Sequence, residues 1–158
     1  MKVTDAPDLR NVWLPRIFYP LDHQEGRVRF SCELRLDANQ PPHLYIDPRQ
    51  YSDTGDREYF SGPMLHISED GSLTAAGKRL GEVPFDRWFK IEMEIALGEG
   101  APDATNMVLT VADEEPQQIT VPHISPEFQR LERVVIASLK DGASVFYMDN
   151  VIIEPLAE

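Results

Sequence analysis

The chain has 158 residues, a length that suits one domain with its own hydrophobic core. Hydrophobic residues make up 42% and charged residues 27%, the balance of an ordinary globular protein. The formal net charge is -12, which argues against nucleic acid and anionic membranes as partners, since both attract clustered lysine and arginine. We therefore predict a single domain over residues 1–158.

The N-terminal residues, MKVTDAPDLRNVWLPRIF, contain no apolar stretch long enough for a signal peptide, and no window approaches a membrane span. The sequence leaves the compartment open: a domain of an exported parent protein would work outside the cell or in the periplasm. The single cysteine, Cys32, excludes an intrachain disulfide. Its place in an alternating apolar row predicts a small core residue.

Period-2 alternation of apolar and polar residues predicts an all-β fold. VWLPRIFY (12–19) is a weak candidate strand, because Pro15 lacks a backbone donor. RVRFSCELRL (27–36) and FKIEMEIAL (89–97) alternate throughout and predict half-buried antiparallel strands with one polar face. Shorter candidates lie at 62–68, 71–77, 106–113, 117–122, 133–139 and 145–153, and Asp70-Gly71 predicts a hairpin. The pattern indicates a two-sheet antiparallel sandwich of about nine to eleven strands.

Residues 37–60 are predicted to form a long, proline-rich loop, and long loops in compact domains are often functional. Its aromatic, arginine and aspartate side chains, including Asp47 and Asp53, are types that bind sugars, because rings stack on C–H surfaces and planar polar groups bind hydroxyls. The alternative is a loop that only covers the edge of the sandwich. The candidate ligand-binding residues, including one from the following strand, are Tyr45, Arg49, Tyr51, Arg57, Tyr59 and His66.

Three segments resemble concanavalin A-like jelly rolls, the sandwiches of laminin G-like domains, lectins and glucanases. GRVRFSCELRL (26–36) is similar to their early strand, in which a glycine precedes a long alternating run. Residues 62–98 are similar to their strand, Asp-Gly hairpin and tryptophan-led central strand, and FYMDNVIIE (146–154) is similar to their closing strand. The resemblance implies a jelly roll that serves as a non-catalytic carbohydrate-binding or adhesion-type module of a larger polysaccharide-processing protein.

Asp149 lies within the predicted closing strand, where a buried carboxylate without partners would be costly. The resemblance implies two roles for it: to accept hydrogen bonds from backbone amides near the N-terminal segment, or to bind a structural Ca²⁺ with nearby carbonyl groups. Buried polar groups are normally hydrogen-bonded, and no EF-hand-like run of acidic residues is present, so the hydrogen-bonded role is favoured. Calcium is the one cofactor that the sequence leaves open.

Catalysis is the alternative function, as a glycoside hydrolase or a polysaccharide lyase on the same fold. Glu92 and Glu94 share one strand face with Cα atoms about 6.6–7 Å apart, a spacing compatible with paired carboxylates in glycosidases. The jelly-roll glucanases carry E-x-D-x-x-E on that strand, however, and Ala96 and Leu97 stand where the third acid belongs. We expect Lys90, Glu92 and Glu94 to face Arg29, Glu33 and Arg35 on neighbouring strands as a solvated charge ladder.

For a lyase, the resemblance offers Arg35, Tyr59 and His66 as parts of an Arg, Gln, His and Tyr cluster. The family's Gln-x-His is absent, and the acidic chain would repel a polyanion. A third alternative is a purely structural domain that packs against a neighbouring domain of a parent protein. Titratable groups that converge in one cleft would indicate an enzyme, and exposed tyrosines in a shallow groove would indicate a lectin.

Overall fold

The computed structural model describes residues 1–54 and 58–157, and it confirms the predicted all-β sandwich of two antiparallel sheets. No helix occurs within these two ranges. The strands are β1 (Lys2–Asp5), β2 (Arg16–His23), β3 (Gly26–Leu36), β4 (Leu44–Tyr51), β5 (Tyr59–Ser61), β6 (Leu65–Ile67), β7 (Ser72–Ala75), β8 (Lys78–Glu82), β9 (Phe89–Leu97), β10 (Ala104–Val111), β11 (Gln117–Pro122), β12 (Leu131–Ser138) and β13 (Ser144–Leu156).

The chain crosses between the two sheets several times, so β1, β2, β3, β12 and β13 pair with strands that are distant in sequence. The six-stranded sheet has the order β1-β13-β3-β9-β10-β11. The seven-stranded sheet has the order β2-β12-β4-β6-β7-β8, and β5 pairs with β4 beside β6. Among the described residues, no helix is long and apolar enough to cross a membrane.

The core lies between the sheets and follows the alternation predicted for β3 and β9. Phe30, Leu34 and Ile91 from the six-stranded sheet, and Ile46 and Ile136 from the seven-stranded sheet, are fully buried. Each large apolar side chain buried in this way contributes about 1.5–3 kcal/mol.

Cys32 is a core residue, as predicted. Burial, together with the nearby Glu33, raises the pKa of its thiol to about 12, so the thiol stays protonated and unreactive.

The prediction of a loop over residues 37–60 is wrong, because β4 lies in the middle of the seven-stranded sheet. Both faces of β4 are buried, so its sequence lacks the alternation that marks a half-exposed strand. Pro48 is tolerated because β4 pairs with β6 through Leu44–Ile46 and with β5 through Arg49–Tyr51, which leaves Pro48 at the break between the two partners.

Asp149 lies on β13 as predicted, but the expectation that it is buried is wrong. It points to the outer face opposite Glu33, at a β-bulge between Asp149 and Ile152. Asn150 adopts a left-handed conformation with φ 47°, which asparagine tolerates better than most residues. The backbone N–H of Asn150 donates to Asp149 Oδ1 at 2.9 Å, so the donor is the bulge itself and not the N-terminal segment.

Candidate functional site

The outer face of the seven-stranded sheet brings together most of the predicted ligand-binding residues. Period-2 geometry points Tyr45, Asp47, Arg49 and Tyr51 of β4 away from the core, while Leu44 and Ile46 point into it. Sheet register then places His66 of β6 beside Tyr45, and Tyr59 of β5 beside Tyr51. Three neighbouring strands thus supply one continuous surface.

A groove of about 510 Å³ opens on this face. It contains four of the predicted residues, whereas Tyr51 lies next to it without lining it, and Arg57 lies outside the described residues. The groove is lined by Trp13, Arg16, Tyr45, Asp47, Arg49, Tyr59, Met64, His66 and Leu139.

A buried ion pair forms the floor of the groove. Asp47 is 0% exposed and Arg49 is 7% exposed, and Arg49 Nε donates to Asp47 Oδ2 at 2.5 Å. Burial raises the pKa of Asp47, and the adjacent Arg49 charge limits the rise. Asp47 Oδ1 is buried and makes no hydrogen bond to any described residue. The pair therefore holds the Arg49 guanidinium in a fixed position at the floor of the groove.

Two tyrosines hold the guanidinium of Arg49 in place. The guanidinium carbon lies 3.9 Å from the centre of the Tyr59 ring and 5.7 Å from that of Tyr45. Such cation–π contacts orient an arginine without neutralising it. Tyr59 is 46% exposed and offers the other part of its ring to a ligand.

His66 is an uncharged polar group in the groove wall. Burial, together with the nearby His43, lowers its pKa, so at neutral pH one ring nitrogen donates and the other accepts. Its ring centre lies 6.4 Å from that of Tyr45. Burial raises the pKa of Tyr45, which keeps its hydroxyl protonated. His66 and Tyr45 can therefore each donate and accept hydrogen bonds, and both are uncharged at neutral pH.

A second stack of arginine and aromatic side chains continues from the groove across the same face. The guanidinium of Arg133 lies 4.9 Å from the ring centres of both Phe18 and Tyr51, and that of Arg16 lies 5.7 Å from Phe18. Tyr51 and Tyr59 are 6.2 Å apart, which joins the two stacks.

The outer face of the six-stranded sheet holds the two glutamates that we considered for glycoside hydrolysis. The register places Glu94 opposite Arg29 and Lys90 opposite Glu33, as the charge ladder predicts, although Glu94 pairs with Arg27 and Glu92 with Lys90 of its own strand. These side chains are about one third to one half exposed. Arg35 also lies in this sheet, within 3.9 Å of Asp86. It is therefore on the wrong sheet to join Tyr59 and His66, and the lyase cluster built on Arg35 is wrong.

Sequence reasoning missed several lining residues outside the segment 37–60, chiefly Trp13 and Arg16. Both belong to the weak candidate strand 12–19, in which Arg16 and Phe18 alternate with the inward-facing Ile17. The signal was an exposed tryptophan beside an alternating Arg-x-Phe pair. The sequence does not show that β2 pairs with β12 and β12 with β4. This pairing places Arg16 and Phe18 on the same sheet face as the β4 residues.

The role of Asp149 in binding calcium stays a prediction. Among the described residues, no three histidine, cysteine, aspartate or glutamate side chains lie close enough together to hold a metal ion. Backbone carbonyl groups near the bulge would have to supply most of the ligands.

No protein-family model matches the sequence, and no curated protein matches it either. In fold, the chain is similar to an endo-β-1,4-glucuronan lyase from the fungus Trichoderma reesei, with a TM-score of 0.61 and 11% identity over 98% of this chain and 80% of that chain. It is also similar to a GH131 β-glucanase catalytic domain from Podospora anserina, with a TM-score of 0.56 and 14% identity over 99% and 72%. A marine PL-14 alginate lyase from Aplysia kurodai gives a TM-score of 0.54 and 12% identity over 89% and 82%.

These similarities show the fold, since the identities are far too low to carry more. The chain has the concanavalin A-like jelly-roll fold that its sequence segments resemble.

Proposed function

We propose that the protein binds a polysaccharide chain in the groove on the outer face of the seven-stranded sheet, without cleaving it. The observation that carries this proposal is the composition of the groove. Aromatic rings from Trp13, Tyr45 and Tyr59 lie in one concavity with fixed polar groups from Asp47 and Arg49. Sugars bind to such sites because their C–H faces stack on rings while their hydroxyls bond to oriented polar atoms.

The comparisons support a carbohydrate ligand without specifying it. The three similar structures are named for enzymes that act on glucuronan, β-glucan and alginate. The proposal for this chain therefore rests on its own side chains, with the shared fold as support.

Binding is favoured over glycoside hydrolysis by the number of carboxyl groups. Hydrolysis ordinarily uses two carboxyl groups on either side of the scissile bond. Among the described residues that line the groove, Asp47 is the only one with a carboxyl group, and that group is already paired with Arg49.

A polysaccharide lyase is the second candidate, and the neighbouring His66 and Tyr45 are the observation that favours it. A neutral His66 could remove the proton on the carbon α to a uronate carboxylate. The C–O bond to the leaving sugar would then break, and the protonated Tyr45 could give its proton to the departing oxygen. Because Asp47 already neutralises Arg49, only Arg16 among the described lining residues would remain to bind the carboxylate.

A glycan array followed by product assays tests the proposal. We expect binding to one or more polysaccharides, with neither new reducing ends nor unsaturated products on prolonged incubation. Unsaturated product that disappears in His66→Ala would establish the lyase instead. A folded protein that binds no polysaccharide would contradict both candidates.

A further inference from the structure

We infer that the polysaccharide is anionic, and that Arg16 and Arg133 bind its carboxylate or sulfate groups at a site around Phe18. This inference rests on the proposed function and names the chemical class of its ligand. The site lies on the seven-stranded sheet, where Phe18 of β2 is directly opposite Val135 of β12. Phe18 is 47% exposed, so its ring is open to solvent between the two arginines.

Two cations share one aromatic ring at this place. The guanidinium groups of Arg16 and Arg133 both stack near the Phe18 ring, at 5.7 and 4.9 Å. Neither forms an ion pair within residues 1–54 and 58–157. Their only side-chain hydrogen bond in these ranges runs from Arg133 Nη1 to the Tyr51 hydroxyl at 3.1 Å. Two neighbouring cations that are held by a neutral ring form a site for an anion.

The sheet register adds a third positive charge. Arg133 lies directly opposite Arg49, and like charges on opposed strand positions repel each other. Asp47 neutralises Arg49, but no described carboxylate does so for Arg133. Glu132, next in sequence, accepts the backbone N–H of Tyr51 at 2.5 Å. Arg133 Nη1 donates to the Tyr51 hydroxyl, and Nη2 makes no hydrogen bond to any described residue, so Nη2 is the donor that Arg133 retains for a ligand.

The net charge of -12 does not prevent a polyanion from binding here. At physiological ionic strength, charges more than about 8 Å apart through solvent are largely screened. The ion-paired glutamates Glu92 and Glu94 lie on the opposite outer face of the sandwich. Among the described residues that line the groove or stack on Phe18, the charged side chains are three arginines, Arg16, Arg49 and Arg133, and one carboxylate, Asp47. The local surface therefore favours a polyanion, although the net charge of the whole chain is negative.

The experiment compares acidic and neutral polymers. Isothermal titration calorimetry with polygalacturonate, alginate, dextran sulfate and neutral dextran would be run at low and at physiological ionic strength. We expect the acidic polymers to bind, with affinity that falls as salt is added, and dextran to bind far more weakly. A preference for polygalacturonate or for dextran sulfate tells whether carboxylate or sulfate is the natural group.

The variants Arg16→Gln and Arg133→Gln should each weaken binding of the acidic polymer by about tenfold, the value of one charge-assisted hydrogen bond. Arg29→Gln is the matched control, because it removes the same charge from the six-stranded sheet, where Arg29 pairs with Glu154. Arg133→Lys keeps the charge and should recover part of the loss.

Three results would overturn the inference. Neutral dextran could bind as tightly as the acidic polymers, Arg29→Gln could weaken binding as much as Arg16→Gln, or Arg16→Gln could bind normally. Arg16 is exposed, so its variant keeps the test valid even where Arg133→Gln fails to fold. Failure of every polymer to bind would instead contradict the proposed function itself.

Discussion

The two outer faces of the sandwich use arginine in opposite ways. On the six-stranded sheet, Arg27 and Arg29 pair with Glu94 and Glu154, and about half of each side chain is in contact with water. On the seven-stranded sheet, Arg49 is buried against Asp47 and stacked on Tyr59. Charges on both faces are paired, but the pairs of the first face lie in water, whereas a buried carboxylate and an aromatic ring hold Arg49 in one orientation on the second.

This difference separates a solvated surface from the one at which we propose that a ligand binds. Exposed ion pairs contribute about 0–1 kcal/mol and leave nothing oriented for a ligand. Burying an ion pair and stacking a guanidinium group cost desolvation free energy. The hydrogen-bond donors are then already oriented when a ligand binds, which lowers the entropic cost of binding. The sequences of the two faces differ accordingly: β3 and β9 alternate charged and apolar residues, whereas β4 is buried on both faces and does not.

The largest effect should come from breaking the buried pair. Asp47→Asn removes the charge that Arg49 is buried against, so we expect the free energy of unfolding to fall by about 3 kcal/mol. Glu94→Gln breaks an exposed pair on the other face and should change it by less than about 0.5 kcal/mol. Urea titrations of the three proteins give these values. Equal effects of the two substitutions would remove the contrast between the faces.

An exposed aromatic residue on each face provides the next test. Tyr59 is 46% exposed at the groove, and Trp88, immediately before β9, is 37% exposed. Tyr59→Ala should weaken polysaccharide binding by about tenfold through the lost ring contact. Trp88→Ala should leave binding unchanged, although its cost in stability should be similar. Affinity electrophoresis in polysaccharide gels would show a normal retardation for Tyr59→Ala if the groove is not the binding site.

The pH dependence of stability should also differ between groove and surface histidines. Burial lowers the pKa of His66, so the folded state binds its proton less readily than the unfolded state does. The stabilisation that results is complete above the ordinary pKa of 6.5 and is lost as the pH falls from there towards the lowered value.

Thermal melts from pH 7 down to pH 5 test this expectation. His66→Gln should lose less melting temperature than the parent protein over that interval, since the protonation penalty is gone. His23→Gln, on β2 outside the groove, makes the same substitution at a histidine that does not line the groove and is the control. If the melting temperatures of His66→Gln and of the parent fall in parallel, folding does not lower the pKa of His66.

The sequence predicted those strands that have one solvent-exposed face. The strands β3 and β9 alternate because their outer face is in water, and the Asp70-Gly71 hairpin follows from local turn chemistry, with Gly71 at φ 81°. The short strands β1, β5 and β8 have too few residues to show a period. The strand β4 was missed because burial on both faces removes the alternation altogether.

The sequence predicted which types of residue form the site, but it did not predict which distant segments lie next to one another. Tyr45, Arg49 and Tyr59 stood out in one unusual segment, and they do share the groove. That Arg16 would join them depends on the pairing of β2 with β12 and of β12 with β4, contacts between segments that are far apart in the chain. Periodicity describes single strands and carries no information about such partners.

Asp149 gives the smallest expected effect, and it tests whether the closing strand is a metal site or a bulge. The Asp149 carboxylate caps the Asn150 N–H at the bulge, so Asp149→Ala should cost about 0.5–1.5 kcal/mol, the value of one hydrogen bond. If Asp149 only accepts this hydrogen bond and binds no metal ion, adding CaCl₂ or EDTA should leave the melting temperature unchanged. Asp141→Asn, in the turn before β13, is the control. A melting temperature that rises with calcium in the parent protein and in Asp141→Asn, but not in Asp149→Ala, would instead establish a calcium site, since a ligand stabilises only a state that binds it.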